Sequence, residues 1–148
     1  MSITGLTSID SSVHLTNAWL RDLCDEMGWA IDRGRAYHAL RAVLHALRDR
    51  LPTPEVADLA AQLPLIVRGA YYEGWHPAAR RAREHTKAQF LARVAVAFPG
   101  MPPGDVENIT RGVFRLLARR IAGGEVDDVK TAMPARLREL WGPAAGAS

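Results

Sequence analysis

A shift of 70 residues lays the second half of this 148-residue chain on the first without a gap. Between residues 35–71 and 105–141 nine positions are identical: Arg41/Arg111, Val43/Val113, Leu47/Leu117, Arg50/Arg120, Glu55/Glu125, Val56/Val126, Asp58/Asp128, Pro64/Pro134 and Arg68/Arg138. Chance supplies about two or three in such a window. Apolar positions stay in phase as well, with Leu44 facing Phe114, Leu51 facing Ile121 and Leu59 facing Val129. One further residue of shift overlays WLRDLCDEM on FLARVAVAF, which matches Trp19, Leu20, Leu23 and Met27 to Phe90, Leu91, Val94 and Phe98. An amphipathic unit of this size buries too little alone. Two stacked units share one core, and a pseudo-twofold arrangement is the natural result.

The period within each unit is that of a helix. Leu15, Trp19, Leu20, Leu23, Cys24 and Met27 fall on one helical face, and Ala36, Leu40, Val43, Leu44, Leu47 and Leu51 form the next stripe. Asp32 is placed to cap the second helix, and Thr53, followed by Pro54 and Glu55, to cap the third. Val56, Leu59, Ala60 and Leu63 give the third helix its buried face. Thr86 with Gln89 reads as a capping box, and Pro99 to Asp105 as a rigid loop. No window alternates with period 2, so the chain is expected to be an all-α bundle of two tandem pseudo-symmetric repeats, about four helical segments each. The expected organisation is an N-terminal segment 1–12, repeat one 13–75, a basic connector 76–85, repeat two 86–142 and a disordered tail 143–148.

Composition narrows the setting. At 48% hydrophobic and 24% charged the chain reads as globular rather than disordered. Its uncharged runs fall far short of a membrane span, and the first residues lack the basic and apolar regions of a secretory signal. With Cys24 as the single cysteine no intrachain disulfide can form. A cytoplasmic protein is expected. The net charge of +3 is uneven: residues 1–75 sum to −2 and residues 76–148 to +5. Arginine codon usage accounts for such an excess, and so does an anion-binding second half.

The segment LRAVLHALRDRLPTPEVADLAAQLPLIVRGAYYEGWHP, with its LHALRDRL and RG.YYEGW runs, resembles the bacterial family known as domain of unknown function 2267. The likeness covers about residues 13–142. It implies a small all-helical bacterial protein and carries no activity, cofactor or catalytic residue with it.

Function therefore rests on the residues. Both units end in a proline, an arginine four positions later and then a tryptophan: PLIVRGAYYEGWHP and PARLRELWGP. The shared arginine and tryptophan read as architecture. The unshared residues are different. Gly69 inside a helix costs about 1 kcal/mol against alanine, which points to a close-approaching backbone or ligand. Arg68, Gly69, Tyr71, Tyr72, Glu73 and Trp75 form the candidate binding surface, with packing at the junction between units as the alternative role for the aromatic residues. Arg80, Arg81, Arg83 and Lys87 are candidate anion contacts, although no aromatic residues interleave them. His38, Arg41, His45 and Asp49 share one helix face, and His45 with Asp49 has a metal-pair spacing. A solvated face is the expected reading there, since two ligands do not make a site. No nucleophile elbow, phosphate loop or catalytic constellation is present. The expectation is a non-enzymatic binding or assembly module with no catalytic residue, no cofactor and no metal. Its partner is an unidentified protein or a second copy, with no membrane. Anion or nucleic-acid binding through the Arg-rich half, and small-molecule binding at the aromatic junction, are the alternatives.

Overall fold

The structure, a computed structural model, describes residues 3–78 and 81–142. Among these are eight helices and no strand: α1 (Thr7–Met27), α2 (Arg33–Arg50), α3 (Thr53–Ala60), α4 (Leu65–Tyr72), α5 (Lys87–Ala95), α6 (Pro103–Arg120), α7 (Gly123–Ala132) and a closing 3₁₀ helix (Ala135–Trp141). The expected tail 143–148 and Arg80 lie outside the described residues. α2 and α6 both run 18 residues.

Local chemistry sets the boundaries. Asp32 accepts the Arg35 N–H at 3.0 Å and starts α2. Thr86 and Gln89 exchange side-chain and backbone bonds at the start of α5. Gly28, at φ 69°, ends α1 in the left-handed conformation that suits glycine. Two helix starts differ from expectation. Thr53 makes no capping bond, because Pro52 already holds the extended turn and Thr53 is the first helical residue. α1 begins at Thr7, inside the segment placed outside the fold. Its first turns are exposed and carry no apolar stripe to announce them, and Leu15, assigned to the buried face, is 42% exposed.

The core is a single apolar cluster drawn from both halves of the chain. α1 lies against α2, α4 and α6; α5 lies against α2 and α6; α2 meets α6, and α3 meets α7. Leu47 and Leu117 are both fully buried, each contributing about 1.5–3 kcal/mol. Phe114 stacks on Trp141 with ring centroids 4.3 Å apart. Gly112 brings α1 and α6 close, since a Cβ there would collide with Met27 Sδ. The uneven charge is consumed at the same seam. Glu26 of α1 accepts from Arg115 (2.9 Å) and Arg119 (2.6 Å), and Asp22 accepts from Arg120 at 2.8 Å. Burial pulls the Glu26 carboxyl upward, but the bonds from Arg119 and Arg115 outweigh it and hold it below its ordinary value.

Candidate functional site

The candidate surface grows from α4, which Pro64 opens and whose carbonyl accepts the Arg68 N–H at 2.7 Å. Arg68 does not face outward. Its Nε donates to Ala60 O (2.8 Å) and its Nη2 to Leu63 O (3.1 Å), which satisfies the carbonyls left open at the end of α3. Tyr71 is fully buried, and its hydroxyl donates to Val56 O at 3.0 Å. Burial pushes its proton affinity far up, so it stays a neutral donor. Tyr72 lies edge-on to Tyr71 and tilts against Trp75, with both centroid distances 5.4 Å. Trp75 is half-buried against the core. Gly74, at φ 76°, turns the chain out of the helix.

α2 holds this end in place with the face expected to be solvated. His38 Nε2–H donates to Ala97 O and His45 Nε2–H to Ala70 O, each at 2.7 Å. Arg41 donates to Glu73 at 2.7 Å. Arg48, 5% exposed, donates to Tyr71 O and Glu73 O at 2.8 Å, closing the C-terminal end of α4. Burial lowers the proton affinity of His45. Asp49 joins Arg48 (2.8 Å) to Arg93 (2.6 Å), and these bonds overcome the upward effect of burial to keep it ionised. These polar side chains are ties because α4 and the end of α5 fold back over them. That return is tertiary, and helix spacing alone does not carry it.

Gly69, Tyr72 and Glu73 remain on the surface, around a shallow depression of about 420 Å³ shared with Tyr37 and Ile66. Apart from its chain neighbours and the backbone of its own helix, no atom of the described residues lies within 4 Å of the place a Gly69 Cβ would take, so no other element among them accounts for that glycine. Of the anion candidates, Lys87 is engaged by Glu139 (3.0 Å) and Glu107 (3.5 Å). Arg81 and Arg83 border a pocket of about 430 Å³ with Arg50 and His85.

Sequence spacing did not single out a carboxylate group where α3 meets α7. Ligand oxygens of Glu55, Asp58 and Glu125 all lie within 4.8 Å of one another. Three hard oxygen ligands suit a divalent cation or a proton. Glu55 Oε1 and Glu125 Oε2 are buried without a hydrogen-bond partner among the described residues; a proton on Glu125 supplies a bond to Glu55. Burial, then Glu55, pushes the Glu125 carboxyl up to about 8. A signal was available: Glu55/Glu125 and Asp58/Asp128 are identities of the 70-residue offset, and α3 and α7, which carry them, pack on each other.

Fold and site together define an all-helical protein, over its described residues, in which the polar face of α2 largely supplies internal ties. Residues 16–140 match the model of the family described as "Uncharacterized conserved protein (DUF2267)", and the chain belongs to that family. No curated protein matches it. None of the helices among the described residues is long and apolar enough to cross a membrane.

Proposed function

We propose that this protein is a non-catalytic, cytoplasmic assembly module of two stacked pseudo-symmetric repeats, and that it self-associates through the α2–α4 face around Gly69. The lone buried Cys24 suits a reducing compartment. The single observation that carries the binding reading is Gly69: a mid-helix glycine with nothing facing it, bordered by part-exposed Tyr37 and Ile66. A helix from outside can approach there more closely than any side chain would permit. A second copy fits because the face presents Arg41 and Glu73 side by side. A twofold interface can exchange those partners between copies, as an isologous contact requires.

Sedimentation velocity over a concentration series tests this. The wild-type chain is expected to dimerise, and Ile66→Asp to remain monomeric with the melting temperature of dilute, monomeric wild type. A wild-type chain that stays monomeric at high micromolar concentration, or an Ile66→Asp variant that dimerises normally, sinks the reading.

A further inference from the structure

The observation that reaches furthest beyond self-association is a buried arginine with no adequate partner. Arg50, at the end of α2, is 5% exposed. One of its terminal nitrogens donates to Ala82 O in the connector, while its Nε has no hydrogen-bond partner among the described residues. A donor of a charged group left buried and unpaired is costly to the fold. Burial, and then the like charge of Arg81, work against the Arg50 cation, and the charge of Glu84 offsets only part of this.

The space beside Arg50 has a one-sided composition. The pocket of about 430 Å³ is bordered by Arg50, Arg81, Ala82, Arg83 and His85, with no carboxylate in its wall. The acids nearest in sequence are turned elsewhere: Glu84 accepts from Arg93 at 3.1 Å, and Asp49 accepts from Arg48 and Arg93. The connector is not a loose strand, since Ala82 N–H donates to Asp49 O at 2.9 Å and so fixes Arg81 and Arg83 beside the helix end.

We propose that this pocket is a binding site for a phosphate group, either free phosphate or the terminal group of a small phosphomonoester. Its oxygens accept from the guanidinium forks of Arg81 and Arg83, which match phosphate geometry and its double charge, while the buried Arg50 cation backs the pocket wall. A nucleic-acid backbone fits less well. A polyanion needs a track of free cations, whereas Arg93, Arg111, Arg115, Arg119 and Arg120 are held by carboxylates of this chain.

The test is calorimetric titration of the full chain with inorganic phosphate, with phenyl phosphate and with a short single-stranded oligonucleotide, all at matched ionic strength. Saturable phosphate or phenyl phosphate binding is expected, weakened at least tenfold in the Arg81→Ala/Arg83→Ala variant. Both residues sit in the connector outside the core, so the fold is expected to survive, and circular dichroism checks it. Tighter binding of phenyl phosphate identifies the monoester as the ligand, and equal binding identifies the free ion. Absence of saturable binding of both, binding unchanged in the double variant, or oligonucleotide binding that persists while phosphate does not bind, overturns the proposal.

Discussion

The segments related by the 70-residue offset solve the same structural problem at their ends with partly different residues. In both, an arginine satisfies carbonyls at the end of the preceding helix: Arg68 takes Ala60 O and Leu63 O, and Arg138 takes Lys130 O and Thr131 O. In both, a large aromatic residue closes the end, with Tyr71 fully buried and Trp141 6% exposed. The residue between them differs. Glu139 collects Lys87 at 3.0 Å and Arg111 at 2.8 Å, so the second end is covered by its own ion network. Gly69 stands at the corresponding place with no side chain, and Arg41 turns to Glu73 instead. At these ends the shared arginine and the large aromatic residue hold the fold. The unshared Gly69 is where surface is left over for something else.

The strongest challenge to that division is to empty both ends. Tyr71→Ala and Trp141→Ala are each expected to cost about 3–5 kcal/mol, as large-to-small changes at buried aromatic sites do. Trp75→Ala, at a half-buried position with no aromatic residue 70 places on, is expected to cost less than either. Urea denaturation ranks the three. A Trp75→Ala loss equal to that of Tyr71→Ala would move Trp75 into the shared architecture.

Two helical glycines sharpen it further, by different amounts. Gly69→Ala gains helix propensity of about 1 kcal/mol and meets nothing outside its own helix, so its melting temperature, read below the dimerising concentration, is expected to rise. Gly112→Ala gains the same propensity but must push aside the flexible end of Met27, so a smaller rise is expected. A Gly69→Ala variant that melts lower than wild type would mean that the glycine serves this molecule's own fold.

The equivalent carboxyls Glu55 and Glu125 offer a comparison in pH. Glu125 has its proton affinity raised in the folded state to about 8. A raised carboxyl stabilises the fold fully below its unfolded value, near 4.5, and that contribution is lost as pH rises through about 8. Wild-type stability is therefore expected to decline from mildly acidic to mildly alkaline pH, and Glu125→Gln to flatten the decline. Parallel profiles for the two proteins would show that no proton is shared between α3 and α7.

How much of this was readable in advance depends on whether a residue's role is local. The Asp32 cap and the Thr86–Gln89 box are formed within one turn of chain, and their side-chain chemistry names them. Burial of Leu47 and Leu117 follows from helical period. The His38, Arg41, His45 and Asp49 face, expected to be solvated, is exposed or part-exposed; its ties escape helix spacing because the acceptors of His38 and His45, Ala97 O and Ala70 O, lie 59 and 25 residues away. Arg50 looks like any surface arginine until the connector folds over it. The Glu55–Glu125 meeting requires α3 to pack on α7, which the offset identities hint at and no single helix reveals.

The smallest effect separates the two arginines that lead off the end networks. Arg41 makes an exposed pair with Glu73, with the side chains 38% and 59% exposed. Such a pair contributes about 0.2–1 kcal/mol, and salt screens it. Arg111 is 22% exposed, bonds both Glu107 and Glu139, and also donates to the Glu139 carbonyl at 2.8 Å. Its removal takes away a carbonyl's partner as well as an ion pair, and the carbonyl bond does not depend on salt. Arg41→Ala is expected to lie within about 0.5 kcal/mol of wild type, and Arg111→Ala to lose more, with the gap persisting in molar salt. Denaturation curves at low and high ionic strength measure both. If the two losses match and vanish together in salt, the second end is no better closed than the first. The open face at Gly69 would then need a cause other than the missing network.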